Sequence, residues 1–116
     1  MASQASFVEF ILDQLSTCEG ILTKKMFGEY AVYSGEKMFA LICDDQLFIK
    51  PTVEGRNLLE ASSALSEAPP YPQAKLWFLI DSDILDDRDR LTALATITIS
   101  ALPVPVKKPK KTKSKT

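Results

Sequence analysis

The first apolar residues of the chain repeat with the spacing of a helix. Four of them recur three or four positions apart: Phe7, Phe10, Ile11 and Leu15. Glu9 and Asp13 fall between them on another face, as in an amphipathic helix that packs on a core. The pattern predicts a first helix over residues 4–17, and Gly20 is a suitable residue for its exit.

From residue 21 the apolar runs become shorter and turn residues separate them. Ser34-Gly35-Glu36 and Asp44-Asp45-Gln46 are short enough for hairpin turns. The segment therefore predicts an antiparallel meander of four strands, near 22–27, 30–34, 37–43 and 46–50. Residues 38–43 are apolar at every position, which is typical of a central strand covered on both faces, or covered on one face and paired with a partner on the other.

The remainder of the chain predicts one more strand and two helices. A short helix is expected over 53–61, followed by a loop over 62–74 that contains Pro-Pro-Tyr-Pro. KLWFLI at 75–80 predicts a fifth strand, with Trp77 and Phe78 in the core. The carboxylates of 81–89 favour a helix N-terminus, and a closing helix extends to about 101. The fold class is thus α+β: an N-terminal helix, a four-stranded meander plus a fifth strand, and a closing C-terminal helix.

Charge divides the chain into two parts. The 116 residues carry a net charge of −1, but six lysines after position 106 give that end +6 and leave −7 on the rest. Pro103 and Pro105 end the predicted fold, so we expect a domain over 1–102 and a disordered, Pro- and Lys-rich tail over 103–116. Neither an apolar run of about 18 residues nor a basic leader is present, which predicts a cytoplasmic protein outside the membrane.

The residue inventory argues against an enzyme. The sequence has no histidine, so a Ser-His-Asp or Cys-His arrangement is excluded. Cys18 and Cys43 are 25 positions apart and lack a CxxC partner, which predicts neither a disulfide nor a zinc site. The aspartates of 81–89 lack the spacing of a calcium loop. We therefore expect no catalytic residues, no metal and no cofactor.

Three segments together carry a family pattern: KKMFGEYAVY at 24–33, SGEKMFALICDDQLFIK at 34–50 and ILDDRDRL at 84–91. They resemble the N-terminal domain of the TfoX family over about residues 7–102. The residues on the family pattern are Met26, Phe27, Gly28, Tyr30, Tyr33, Gly35, Lys37, Met38, Phe39, Ala40, Leu47, Phe48 and Lys50.

The resemblance implies a regulator of natural competence that acts with the transcription machinery and not by catalysis. Two departures from the family pattern are visible. Gly28-Glu29 stands where family members often have Gly-Gly, which bears on any positive φ at the second position. A lysine-rich segment stands where full-length members carry a second, helical domain.

Two regions are candidates for binding. Met26, Phe27, Gly28 and Tyr30 are expected either to form a packing and turn device or to contribute to a patch that binds a protein partner. The strand lysines (Lys24, Lys25, Lys37 and Lys50) either form a basic patch or are solvated and protect a sheet edge. An exposed edge of the meander would also allow a homodimer.

The tail is the second candidate region. Its lysines are Lys107, Lys108, Lys110, Lys111, Lys113 and Lys115. If all six neutralised phosphates, duplex DNA would bind without sequence specificity and with a log–log salt slope of about −5. The two functional hypotheses are therefore a non-enzymatic regulatory or interaction module and, as the alternative, a non-specific nucleic-acid-binding protein that acts through this tail. The tail could also serve only to keep the protein in solution.

Overall fold

The computed structural model of the protein describes residues 3–26 and 28–103. In these residues the helices are α1 (Ala5–Gln14), α2 (Val53–Ala61), α3 (Ser82–Leu85) and α4 (Arg88–Ala101). The strands are β1 (Ile21–Met26), β2 (Glu29–Ser34), β3 (Lys37–Cys43), β4 (Gln46–Ile49), β5 (Glu67–Ala68) and β6 (Trp77–Ile80). One antiparallel sheet contains them all in the order β1-β2-β3-β4-β6-β5. The predicted α+β class and the four-stranded meander are confirmed.

The strand between α2 and the last strand was not predicted. The expected loop over 62–74 contains β5, so the predicted fifth strand is the sixth along the chain and begins at Trp77. Two residues are too few to show a period of two, and the prolines that follow β5 are typical of a loop. Arg56 of α2 forms an ion pair with this short strand, in which its Nη2 donates a hydrogen bond to Glu67 Oε2 at 2.6 Å.

The acidic segment before the last helix begins two helices and not one. Asp81 Oδ1 accepts from Ile84 N at 3.2 Å and starts α3, while Asp87 Oδ1 accepts from Arg90 N at 3.2 Å and starts α4. The expectation that these carboxylates mark a helix N-terminus is confirmed, since side-chain oxygens satisfy N–H groups that have no helical partner. The break between the two helices was not predicted.

All four helices pack on one face of the sheet, which we call the helix face. Residues from every helix join strand residues in one core there. Its members are Val8, Ile11, Leu15, Val32, Phe39, Ala40, Ile42, Leu47, Ile49, Leu59, Phe78, Ile80, Ile84, Leu85, Leu91, Leu94 and Ala95. Helix α2 approaches β6 closely at Gly55, where a Cβ would lie 3.1 Å from the Phe78 ring. The same Cβ would lie 2.9 Å from Oγ1 of Thr52, the N-cap of α2.

A bulge in β3 explains why that strand is apolar at every position. Val32 pairs with Ala40 but the next residue, Tyr33, pairs with Met38, so Phe39 is an additional residue in β3. Phe39 and Ala40 both belong to the core of the helix face, whereas Met38 and Leu41 lie on the opposite face. Both faces of β3 therefore bury apolar side chains.

Candidate partner-binding groove

The second face of the sheet carries a separate apolar cluster, and we call it the open face because no helix residue belongs to that cluster. Its buried members are Ala31, Leu41, Cys43 and Phe48. Partly buried side chains surround them: Met26, Tyr33, Met38, Ala68, Trp77 and Leu79. Apolar side chains that reach solvent across several adjacent strands form the kind of surface that marks interaction sites in proteins.

A groove of about 370 Å³ lies on the open face. The described residues that line it are Met26, Glu29, Tyr30, Met38, Leu41, Cys43, Tyr71 and Trp77. Tyr71 comes from the loop between β5 and β6 and is 55% exposed. The groove therefore runs along β3, with β1 and β2 toward one side and that loop toward the other.

The turn before β2 positions Met26 at the groove. Gly28 has φ +81°, a left-handed conformation that glycine adopts without a Cβ penalty, and the chain reverses there. Met26 and Glu29 then face each other as the last pair of the hairpin. Glu29 begins β2 and has no positive φ. The turn thus needs only the first glycine of the family pattern, and the second position is open to a side chain.

Glu29 uses that position to connect three segments at one end of the groove. Its Oε1 accepts from Ser3 N at 2.9 Å and its Oε2 accepts from Asp44 N at 2.8 Å. Ser3 Oγ in turn accepts from Asp45 N at 3.0 Å, and Asp45 Oδ1 accepts from Gln4 N at 2.8 Å. Asp44 and Asp45 both have positive φ in the β3–β4 turn. This end of the groove is therefore ordered and acidic.

These hydrogen bonds determine the ionisation of Glu29. Burial by itself raises the pKa of Glu29, but the hydrogen bonds from Asp44 and Ser3 favour the carboxylate and together hold the pKa below its ordinary value of 4.5. At the same end of the groove, burial and the charges of Glu29 and Asp44 raise the pKa of the Cys43 thiol. At neutral pH the site therefore presents an ionised Glu29 beside a neutral thiol.

Glu29→Gln is expected to lower the free energy of unfolding by about 1–2 kcal/mol at pH 7, because an amide accepts these N–H groups less well than a carboxylate. The folded pKa lies below the unfolded one, so this contribution is complete above about pH 4.5 and is lost as the pH falls through the folded value. Urea unfolding at pH 7 and pH 3.5 should show a difference that shrinks in acid. Exposed Glu9→Gln is the control, and an equal loss at both pH values would contradict the assignment.

The structure brings two of the four predicted partner-binding residues to the groove. Met26 lines it from the open face, Tyr30 borders it while its side chain packs against the core of the helix face, and Gly28 supplies the turn between β1 and β2. Phe27 lies outside the described residues, as do the six tail lysines from Lys107 to Lys115. The sequence did not predict that Met38, Leu41, Cys43, Tyr71 and Trp77 would line the groove. The apolar run of β3 was the sequence signal that could have indicated the floor of the groove.

The strand lysines do not share one surface. Lys24 and Lys25 are consecutive in β1 and so point to opposite faces. Their Nζ atoms lie 5.1 Å and 6.0 Å from the ring centroids of Tyr33 and Tyr30. Lys37 Nζ donates to Ile99 O at 2.9 Å, near the end of α4. The hypothesis of a single basic patch is therefore wrong.

Neither a metal cluster nor a membrane span is found in the part of the chain that the structure describes. No three Cys, Asp or Glu side chains there are grouped so that they could hold a metal ion. None of the helices in 3–26 and 28–103 has the length and hydropathy needed to cross a membrane.

The protein is thus a small α+β domain. Helices cover one face of its sheet, and the other face carries an open apolar site. A family model described as the TfoX N-terminal domain matches residues 13–102, and the chain belongs to this family. The chain is also similar to a protein of Spirochaeta aurantia described as "Uncharacterized 12.7 kDa protein in trpE 5'region". The two are 38% identical over 116 residues, which cover 100% of this chain and 96% of that protein. The resemblance drawn from the sequence is confirmed.

Proposed function

We propose that this domain is a non-enzymatic interaction module that binds a protein partner through the groove on the open face and regulates transcription, in the manner the family implies for competence genes. The observation that carries the proposal is the groove itself. Its walls combine Met26 and Met38 with Tyr71 and Trp77 around an apolar floor. Methionine and aromatic side chains are enriched where proteins bind one another, since they offer large and adaptable apolar contacts.

The size of the groove suits one or two anchoring side chains of a protein partner. Its volume of about 370 Å³ is near the lower limit of ligand pockets, which range from about 300 to 1,000 Å³. A partner could insert one or two apolar residues while its flanking chain lies along the sheet. Such buried anchors supply most of the binding free energy in protein interfaces.

Capture from a lysate of the source cells, treated with nuclease, tests this function. Tyr71→Ser combined with Met26→Ser removes two apolar walls, and Val53→Ser is the matched control because Val53 is 73% exposed on α2. We expect a protein that the wild type and the control retain and that the double variant retains at least about tenfold less, the effect of losing about 1.4 kcal/mol. Equal retention by all three would contradict a role for the groove.

The second candidate function is non-specific binding of nucleic acid by the tail, and the charge of the sequence supports it. Six lysines lie within 107–115, against a net −7 on the rest of the chain. This function predicts a strong dependence of duplex DNA binding on salt concentration. It also predicts that the groove variant binds DNA as the wild type does, which separates it from the first function.

A further inference from the structure

The groove on the open face carries opposite charges at its two ends. One end is at Cys43, next to Glu29, Asp44 and Asp45. The other end is at Met38, five positions earlier in β3 with one position taken up by the bulge. At about 3.3 Å per strand residue, the two ends are about 13 Å apart. We call them the acidic end and the basic end.

The acidic end presents its charge to solvent. Hydrogen bonds hold the Glu29 carboxylate in its ionised form, and Asp44 and Asp45 are exposed. Within residues 3–26 and 28–103, no lysine or arginine forms an ion pair with any of these three carboxylates. This end of the groove therefore attracts a cation from another molecule.

Lys50 supplies positive charge at the basic end. Its N donates to Phe39 O at 2.9 Å, and its side chain lines a concavity of about 230 Å³ together with Met38. On its other side, the next position in the register of β4 and β6 brings Lys50 opposite Trp77. Phe48, two positions earlier, lies on the open face, and strand alternation directs Lys50 to the same face. Lys50 thus borders the groove between Met38 and Trp77.

Lys24 adds a second positive charge near the same end. Its Nζ lies 5.1 Å from the centroid of the Tyr33 ring. Tyr33 belongs to the open-face cluster and pairs with Met38. Two lysines on the open face therefore flank the end of the groove that lies opposite the carboxylates.

We propose that the groove binds an extended segment of a partner protein in which one basic and one acidic residue flank apolar anchors. The basic residue lies at Glu29 and Asp44, and the acidic residue lies beside Lys50. The inference rests on the proposed function and names the chemistry of the segment that the groove takes. The two charges are about four positions apart, because four extended residues cover about 13 Å. The anchors supply most of the binding free energy, and the charges determine which way the segment runs.

Selection from a library of random heptapeptides tests the proposal with the full chain. The library is first depleted on Tyr71→Ser with Met26→Ser, which keeps the charge of the protein and removes two walls of the groove. We expect most peptides that the wild type then retains to carry a basic and an acidic residue about four positions apart, with apolar residues between them. Retained peptides without opposite charges would overturn the proposal, and so would the absence of retained peptides.

Lys50→Glu tests which charge binds at the basic end. The fluorescence of Trp77, the single tryptophan, measures the Kd of one selected peptide. We expect the Kd to rise about tenfold, since an attractive pair becomes a repulsive one, and to fall again when lysine replaces the acidic residue of the peptide. Arg90→Glu makes the same change in charge at an exposed position of α4 and should leave the Kd unchanged.

Two neutral variants complete the charge test. Lys50→Gln should raise the Kd about threefold, and it replaces Lys50→Glu if circular dichroism shows that the latter does not fold. Asp44→Asn should also raise the Kd about threefold, and asparagine tolerates the φ of +54° at this position. An unchanged Kd in Lys50→Gln and Asp44→Asn would overturn the proposal.

The remaining outcomes separate this inference from the proposed function. Peptides that bind the groove without opposite charges overturn the inference alone, since an apolar partner segment would still fit. Equal capture of a cellular protein by the wild type and the groove variant contradicts the proposed function. A Kd that rises with protein concentration would overturn the inference in favour of a second copy as the occupant.

Discussion

Phe78→Ala is expected to lower the free energy of unfolding by about 3–5 kcal/mol, a large part of the stability of a domain of this size. The Phe78 ring is completely buried on β6. It meets Gly55 of α2 closely and has the Arg56 guanidinium 5.6 Å from its centroid. Alanine would leave a cavity between a helix and the sheet, and neither side can move without disturbing the other.

Urea unfolding followed by circular dichroism measures this loss. Phe78→Leu should cost about 1–2 kcal/mol, because it fills much of the same space. Leu76→Ala is the control, since Leu76 is 53% exposed and its loss should cost less than about 0.5 kcal/mol. A loss below about 2 kcal/mol for Phe78→Ala would mean that α2 closes the space, contrary to the tight packing seen at Gly55.

Gln14→Met is expected to cost about 1–3 kcal/mol, because it keeps the shape of the side chain and removes its hydrogen bonds. Gln14 is 7% exposed at the end of α1, and its Nε2 donates to Leu85 O at 2.8 Å. Its Oε1 accepts from Arg88 Nε at 3.4 Å. The residue thus satisfies a carbonyl at the end of α3 and contacts the first residue of α4, and methionine would leave the buried carbonyl without this donor.

The neighbouring ion pair provides the comparison for Gln14. Arg88 Nη2 lies 2.9 Å from Asp13 Oδ2, and the Asp13 side chain is 71% exposed. Asp13→Ala should therefore change the free energy of unfolding by less than about 0.5 kcal/mol. Thermal unfolding of both variants measures the contrast. An Asp13→Ala loss as large as that of Gln14→Met would show that the ion pair, and not the buried amide, joins α1 to α4.

Local sequence signals predicted most of the fold. The hairpin turns at Ser34-Gly35-Glu36 and Asp44-Asp45-Gln46 defined the meander, because turn residues and strand periodicity act over short distances. The carboxylates of 81–89 predicted a helix N-terminus for the same reason, and Asp81 and Asp87 are the two that cap helices. Trp77 and Phe78 were both assigned to the core. Phe78 is there, but strand alternation places Trp77 on the open face, half-buried at the groove.

The groove could not be predicted in full, because residues distant in sequence form it. Tyr71 reaches it from a loop without periodicity, and Cys43 and Met38 lie on the same face of β3 because of a bulge that leaves no local mark in the sequence. In the sequence, Glu29 was noted only because it stands where family members often have a second glycine. Its role depends on Ser3 and Asp44, which are 26 and 15 positions away, and only the folded chain brings those donors together.

The position of β1 at the edge of the sheet limits how copies of this protein can associate. If two β1 strands paired antiparallel about their centres, Lys24 of each copy would lie opposite Thr23 of the other and diagonally next to its Lys25. Like charges at such neighbouring positions repel each other, and lysines on an edge strand disfavour its pairing with another strand. This edge therefore resists extension of the sheet from one molecule to the next, which keeps it from templating aggregates.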